Sequence, residues 1–388
     1  MPIVTGPIAT SSNLPIIAID YTPAYGQGGG IGRYVRALVA ALARQDQNSA
    51  YKLFVAGATR SVLPSPPGSN FVWRTTRLSP RWLARIWHRA RLPIPIETFL
   101  GAADFVHATD FVLPPTRPGT RTLLTIHDLS FVRVPEAASP GLKAYLDRVV
   151  PSSVRRADHI LADSQATKDD LIALYKTPHE KITVLLSGVD PVFRRTDQLS
   201  ITAIRSRYNL QRPFIFSVGT VQPRKNYSRL IQALSQLLQK GYELDLVIAG
   251  GRGWLEDPIY RTVQVTHTQE HVHFVGFVDE TDLPAFYSAA ECLAFPSLYE
   301  GFGLPILEAM ACGTPVITSN SSSLPEVAGD AALIVDPYST EVIADAIQRL
   351  LDDTALRNTL VEKGYQRVGQ FSWDESARKL RQIYANML

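Results

Sequence analysis

Glu300 and Glu308 stand on either side of a glycine turn, in Ser-Leu-Tyr-Glu-Gly-Phe-Gly-Leu-Pro-Ile-Leu-Glu-Ala-Met-Ala-Cys-Gly-Thr-Pro-Val-Ile at residues 297–317. One carboxylate precedes the turn and the other falls in the first turns of the helix that the turn opens. Pro305 suits the first helical position, where a missing N–H costs nothing. Gly301 and Gly303 let bare backbone amides come close to a ligand, and the helix N-terminus favours an anion at the same place. Carboxylates that accept from hydroxyls, beside an anion-binding helix end, suit a nucleotide sugar: polyol at one end, diphosphate in the middle.

A second group of residues has complementary charge. Residues 214–218 read as a buried strand that runs into Gly219-Thr220-Val221-Gln222-Pro223-Arg224-Lys225-Asn226. Adjacent cations at a strand–helix junction suit a diphosphate, and Asn226 is expected to cap the following helix. His127 closes another strand and is followed by Asp128, at the end of a parallel strand where ligands gather. His107, also at a strand end, is a further candidate.

These residues need a scaffold, and the apolar pattern supplies one. Short apolar runs at 14–20, 51–56, 104–107, 122–126, 159–162 and 182–186 alternate with helical stretches in the first half. The second half repeats the pattern with runs at 214–218, 244–249, 273–277, 292–295, 315–318 and 332–335. Such alternation predicts an α/β protein of two Rossmann-like, doubly wound parallel sheets covered on both faces, with ligands beyond the carboxyl ends of the strands. Gly26-Gln27-Gly28-Gly29-Gly30-Ile31-Gly32-Arg33 follows the first strand, and a helix is predicted over 34–43. Residues 187–193 form a turn-rich break, and the domain boundary is expected near 190–212. The tail from Phe371-Ser-Trp-Asp is a further helix.

The Glu-x7-Glu pair in its Gly-Phe-Gly-Leu-Pro context resembles the signature of the family 4 glycosyltransferases, most specifically over residues 214–373. The resemblance implies the GT-B arrangement: a Rossmann-like acceptor domain over 1–195, a Rossmann-like donor domain over 196–370 facing it across a cleft, and a helix over 371–388 that crosses back to the first domain. It also implies a retaining transfer of a hexose from a nucleoside-diphosphate sugar, of the UDP-glucose or GDP-mannose type, to a saccharide or lipid-linked saccharide. Glu308 would accept from the ribose hydroxyls. Glu300, with the amides near Gly301, Phe302, Gly303 and Leu304, would hold the sugar, and His127 would lie near it. Lys225 falls at the family's lysine, whereas Thr220 stands after Gly219 where many members carry arginine, so that role passes to Arg224. Gly276-Phe277-Val278 matches the segment beside the base, with a contact from the Val278 backbone. The glycine loop, through Gly30, would face the cleft. A nucleotide-sugar 2-epimerase and a non-catalytic donor-binding protein are the rival readings.

Composition narrows the field. A chain of 388 residues with 45% apolar and 19% charged content exceeds one ordinary core and suits two folded domains. No Asp-x-Asp occurs, so the metal–diphosphate clamp of the other large glycosyltransferase fold is missing, and neither a metal nor a prosthetic group is expected. His267, His271 and His273 could suggest a metal, the first two at helical spacing, but a polar surface fits them better. A Walker loop and a nucleophile elbow are absent. The two cysteines, Cys292 and Cys312, sit in apolar settings and predict buried free thiols. Met-Pro-Ile-Val-Thr-Gly lacks the basic start of a signal peptide, which predicts a cytoplasmic protein. Between Asp46 and Glu97 there is no acidic residue, while Arg74, Arg77, Arg81, Arg85, Arg89 and Arg91 occur with Trp73, Trp82 and Trp87. Residues 73–91 read either as a partly helical face for an anionic acceptor or an anionic membrane surface on the inner leaflet, or as a solvated helix with two tryptophans in the core. No nucleic-acid motif accompanies them.

Overall fold

The structure is a computed structural model and describes residues 14–388. The segment read above for a signal peptide lies outside the described residues. The first sheet consists of β1 (Ile16–Asp20), β2 (Ala50–Ala56), β3 (Phe71–Thr76), β4 (Phe105–Ala108), β5 (Arg121–Ile126), β6 (His159–Ala162) and β7 (Ile182–Val184), in the order β3-β2-β1-β4-β5-β6-β7. The second consists of β8 (Phe214–Val218), β9 (Asp245–Ala249), β10 (Val272–Gly276), β11 (Cys292–Phe295), β12 (Val316–Ser319) and β13 (Ala332–Val335), in the order β10-β9-β8-β11-β12-β13. Pairing is parallel in both. Each sheet winds outward, then restarts on the other side of its first strand, so β1/β4 and β8/β11 flank a topological switch point. At such a point the loops diverge and leave a crevice beyond the strand ends.

By contact the chain forms two compact units. One holds the chain to Thr125, Ser152–Leu161 and Ala377–Leu388; the other holds Ile126–Pro151 and Ala162–Ser376. In the second unit the strands are buried on both faces because successive side chains diverge. Phe214 and Phe216 join Phe286, Phe295, Ile306 and Leu307 on one side. Ile215 joins Leu230, Leu234, Leu246 and Ile347 on the other. A fully buried Leu or Phe contributes roughly 1.5–3 kcal/mol, which is why these runs carry no polar alternation. In the first unit the C-terminal helix Trp373–Met387 sends the Tyr384 hydroxyl to His107 Nδ1 in β4, at 2.8 Å.

Several expectations are corrected here. The helix after the glycine loop begins at Gly30, not residue 34, and runs to Gln45. Gly32 lies inside its first turn, where a Cβ would stand 2.0 Å from the Gln27 carbonyl oxygen, so this glycine serves close backbone packing. Trp73 and Arg74 belong to strand β3, so residues 73–91 are not one helical face. The helical part is Pro80–Ala84 followed by a wide turn, Arg85–Arg89, closed by the Ala90 amide on the Arg85 carbonyl at 2.8 Å. Trp82 is 55% exposed, whereas Trp87 turns inward and donates to the Ile94 carbonyl at 2.8 Å. His267 and His271 share no helix, because that helix ends at Val265. His271 Nδ1 and His273 Nε2 instead meet the buried Asp245 carboxylate at 3.2 and 3.0 Å, beside Arg212. Among the described residues no group of three or more His, Cys, Asp or Glu is placed to hold a metal ion, and no helix is long and apolar enough to cross a membrane. Cys292 and Cys312 are buried free thiols, pushed up to about 12 by burial.

Candidate functional site

The switch point of the second sheet brings the charged residues together. β8 and β11 are neighbours, so the loops after their carboxyl ends converge: the first carries Arg224 and Lys225, the second Glu300. Lys225 Nζ donates to Glu300 Oε1 and Arg224 Nη1 to Glu300 Oε2, both at 2.7 Å. Arg224 Nη1 also donates to the Tyr299 carbonyl at 2.7 Å, and the Leu298 amide donates to the Arg224 carbonyl at 2.8 Å. The two loops are thus tied through side chain and main chain alike. Burial pushes the Glu300 carboxyl upward, but Arg224 and Lys225 together outweigh it and hold the group at about 2. The Lys225 ammonium is pulled below its ordinary value by burial and by Arg224, against Glu300.

Local backbone makes room for this cluster. Gly219 has φ +140°, a conformation that L side chains avoid, and a Cβ there would come within 2.7 Å of Lys225 Cε. Thr220, next to it, is exposed. Lys225 Nζ lies 4.6 Å from the centroid of the Phe295 ring, which supports the cation at the end of β11. Asn226 occupies the position before the helix Tyr227–Gln239, but its side chain does not cap it. The residue is left-handed, after a tight turn over Pro223–Lys225, and its side-chain Nδ2 donates to the Pro296 and Pro337 carbonyls at 3.0 and 2.7 Å. Asn226 thereby anchors the cation loop to its neighbours.

The glycine turn is held from behind by serines. Ser323 Oγ donates to the Glu300 and Phe302 carbonyls at 2.9 and 2.8 Å, and the Glu300 amide donates to Ser322 Oγ at 2.8 Å. Gly303, with φ +115°, precedes the helix Leu304–Ala311. The turn closes one residue earlier than expected, so Leu304 takes the first helical position and Pro305 the second. Phe302 is buried, its ring 5.8 Å from that of Phe371. Glu308 is buried on the helix and accepts from the Tyr287 hydroxyl at 2.7 Å.

His127 joins this turn through its backbone. A Cβ on Gly301 would stand 2.0 Å from the His127 carbonyl oxygen, so only glycine lets the two chains pass. The His127 carbonyl also accepts from Thr167 Oγ1 at 3.2 Å, and its imidazole Nδ1 meets Asp163 Oδ2 at 2.7 Å. His107 is different. Its buried ring is engaged by the Tyr384 and Thr125 hydroxyls, both at 2.8 Å, and serves to hold the last helix. Val278 is a buried core residue, while the preceding Phe277 is 65% exposed. Gly30 begins its helix in the other unit, with no atom within 4 Å of a Cβ built on it.

Sequence reasoning did not find Tyr287, Tyr299, Asp163, Ser322 or Ser323. Tyr299 is the most telling: its hydroxyl is bound by Asp170, which also accepts from Arg133, and burial with Asp170 holds the phenol well above its usual value. The aromatic residue directly before Glu300 was the available signal.

The cluster predicts the cost of removing one cation. Lys225→Ala leaves Glu300 with Arg224 alone and should lower unfolding stability by roughly 1–3 kcal/mol. It should also weaken nucleoside-diphosphate binding in calorimetry. Unchanged affinity for UDP and GDP would remove Lys225 from the ligand site.

Comparison with known proteins agrees with this frame. The model for "Glycosyl transferases group 1" matches residues 201–367, and that for "Glycosyltransferase Family 4" matches residues 28–193. The O-antigen chain mannosyltransferase B of Escherichia coli is 30% identical over 370 residues, covering 92% of this chain and 95% of that protein. Among solved structures, the sucrose-phosphate synthase of Thermosynechococcus elongatus superposes with a TM-score of 0.74 at 24% identity, over 96% of this chain and 99% of that one. Anabaena HepE, solved with UDP-glucose, gives 0.72 at 20% identity, over 96% and 100%. The fold is GT-B, and the chain belongs to the family 4 glycosyltransferases.

Proposed function

We propose that the chain is a retaining hexosyltransferase that uses a nucleoside-diphosphate sugar and builds a polysaccharide or glycolipid from a saccharide or lipid-linked saccharide acceptor. The observation that carries this reading is the buried Glu300–Arg224–Lys225 cluster at the switch point, one residue from the Gly301–Gly303 turn. Glu300 offers hydroxyl-accepting oxygens. Arg224 and Lys225 supply the positive charge that a departing diphosphate needs, the electrostatic work a metal does in other enzymes. The acceptor hydroxyl attacks from the leaving-group face and passes its proton to a donor phosphate oxygen, so no protein base is required. Glu308 serves the ribose, and Gly219, Thr220, Val278 and the Gly301–Leu304 amides line the donor. Residues 1–195 act as the acceptor domain, 196–370 as the donor domain, and 371–388 as the helix that returns, with Gly30 at the acceptor side. The mannosyltransferase relative favours mannose as the transferred sugar; GDP-mannose and UDP-glucose are the donors to screen first.

The deciding assay follows sugar transfer by product NMR, with and without excess EDTA. The expected result is transfer with the donor's anomeric configuration kept and no loss on chelation. Interconversion of the free nucleotide sugar would favour an epimerase, and activity that vanishes with EDTA and returns with Mg²⁺ would overturn the metal-free mechanism.

The reading includes a cytoplasmic site of action at the inner leaflet, through residues 73–91. Arg77, Arg81, Arg85, Arg89 and Arg91 are exposed there, and Arg85 stacks on the exposed Trp82 at 4.8 Å. Each arginine near an anionic surface adds on the order of 1 kcal/mol. Liposome flotation should show binding to anionic vesicles that falls steeply with salt; equal recovery on neutral and anionic vesicles would count against it.

A further inference from the structure

The helix Gln165–Tyr175 follows β6 of the first sheet, yet one of its faces serves the loop that carries Glu300, within the same compact unit. Thr167 and Asp170 lie three residues apart, hence on one side of the helix. Thr167 Oγ1 donates to the His127 carbonyl at 3.2 Å, the carbonyl that Gly301 passes closely. The orphan amides of the helix's first turn go to Glu326: the Gln165 amide donates to its two oxygens at 3.0 and 2.9 Å, and the Ala166 amide to one of them at 3.4 Å. Glu326 stands on the short helix Leu324–Ala328, just after Ser322 and Ser323, which bind the amide and the carbonyl of Glu300. Asp170, buried on the same face, accepts from the hydroxyl of Tyr299, the residue directly before Glu300. Its other oxygen accepts from Arg133 Nε at 2.7 Å, so both oxygens of this buried carboxylate are satisfied. Burial and Asp170 hold the Tyr299 phenol well above its usual value, which keeps its proton in place as the donor.

We propose that Asp170 is a positioning residue: through the Tyr299 hydroxyl it fixes the backbone of residues 299 and 300, and so sets the place at which the Glu300 carboxylate meets the transferred sugar. The effect on turnover rests on the role proposed above for Glu300, whereas the anchoring does not. Packing alone does not call for the hydroxyl. The Tyr299 ring lies among Leu298, Val134 and Ala137, and a phenylalanine ring would fill that place equally well. The hydroxyl adds direction, because a hydrogen bond to a charged oxygen is short and strong. Its influence reaches the site by a printed chain of contacts. The Tyr299 carbonyl accepts from Arg224 Nη1 at 2.7 Å, and the same nitrogen donates to Glu300 Oε2 at 2.7 Å. A shift of Tyr299 therefore displaces the guanidinium and the carboxylate together.

Tyr299→Phe in the full chain removes the hydroxyl and keeps the ring. Turnover should fall by about 10- to 100-fold, the cost of a small misplacement at the reacting centre, while donor KM and nucleoside-diphosphate affinity stay near wild type. Asp170→Asn should behave alike. The double variant should turn over no more slowly than the slower single one, since both remove the same hydrogen bond. Losses that multiply, nucleotide affinity that falls in step with turnover, or wild-type turnover would each overturn the proposal. So would a Tyr299→Phe chain that does not fold, since the hydroxyl would then be a folding contact. A second readout needs no activity. Glu300→Gln raises the unfolding equilibrium constant at pH 7, and the factor by which it does so should be at least about twofold smaller in the Tyr299→Phe protein, the lower end of coupling between neighbouring residues. An equal factor in both backgrounds would show that Glu300 is placed without help from Tyr299. Should the factor shrink while the unsubstituted protein transfers sugar from no donor, the anchor stands and the glycosyltransferase reading is what fails.

Discussion

Glu300→Gln should keep nucleoside-diphosphate binding while turnover falls by about 10²- to 10³-fold, the range for losing one charged group aimed at the reacting centre. The amide has the shape of the carboxylate but cannot accept on both sides with a full charge, so sugar contacts that tighten as charge develops are lost. Arg224 and Lys225, each held at 2.7 Å by Glu300, are released toward a diphosphate. Stability changes as well. Glu300 is held at about 2 against its ordinary 4.5, a difference worth on the order of 3 kcal/mol. Because the folded value is the lower one, this contribution is fully present above about pH 4.5 and is lost as pH falls toward 2. The gap between wild type and Glu300→Gln in chemical denaturation should be wide at pH 7 and narrow steadily below pH 4.5. A gap that does not vary with pH would show that the two cations do not hold this carboxylate.

Gly301→Ala should unfold or inactivate the protein, at a cost of roughly 3 kcal/mol or more. The added Cβ would lie 2.0 Å from the His127 carbonyl oxygen, 2.8 Å from its carbon and 3.0 Å from Asp128 Cβ. Two of these contacts are with backbone, which cannot rotate away. Gly30→Ala is the contrast: nothing lies within 4 Å of its Cβ, and stability should stay within about 0.5 kcal/mol of wild type. Denaturant titration of the pair checks both, and a Gly301→Ala protein of normal stability would contradict the close passage of the two chains.

The strands were legible in the sequence because strands buried on both faces read as unbroken apolar runs. Residues 214–218, 292–295, 159–162 and 332–335 occur with the expected bounds. β3 was missed because Trp73 and Arg74 sit in a polar, arginine-rich stretch whose composition masks the pairing with β2. Helix starts were displaced where a glycine decides the geometry. Gly303 with its left-handed turn advances one helix by a residue, and Gly32 lets another begin before residue 34. The residues that form the Glu300–Arg224–Lys225 cluster were visible in the sequence as a glutamate beside a glycine turn and a pair of adjacent cations. Their pairing was not. Lys225 and Glu300 are 75 residues apart, and only the adjacency of β8 and β11 makes them partners. The same limit hid Asp163, which gains meaning from the strand next to it, and Asp245, which gathers two histidines that looked helical.

Calorimetric titration of Glu300→Gln and Glu308→Gln with GDP and UDP most directly tests the proposal that Glu308 holds the nucleotide and Glu300 the sugar. Glu308 lies buried on the helix behind the turn, with the Tyr287 hydroxyl at 2.7 Å, whereas Glu300 precedes the turn between its two cations. The predicted result is near wild-type affinity for Glu300→Gln and a loss of about tenfold or more for Glu308→Gln, the equivalent of one charged hydrogen bond. Loss of bare nucleotide in Glu300→Gln, with binding kept in Glu308→Gln, would contradict the account.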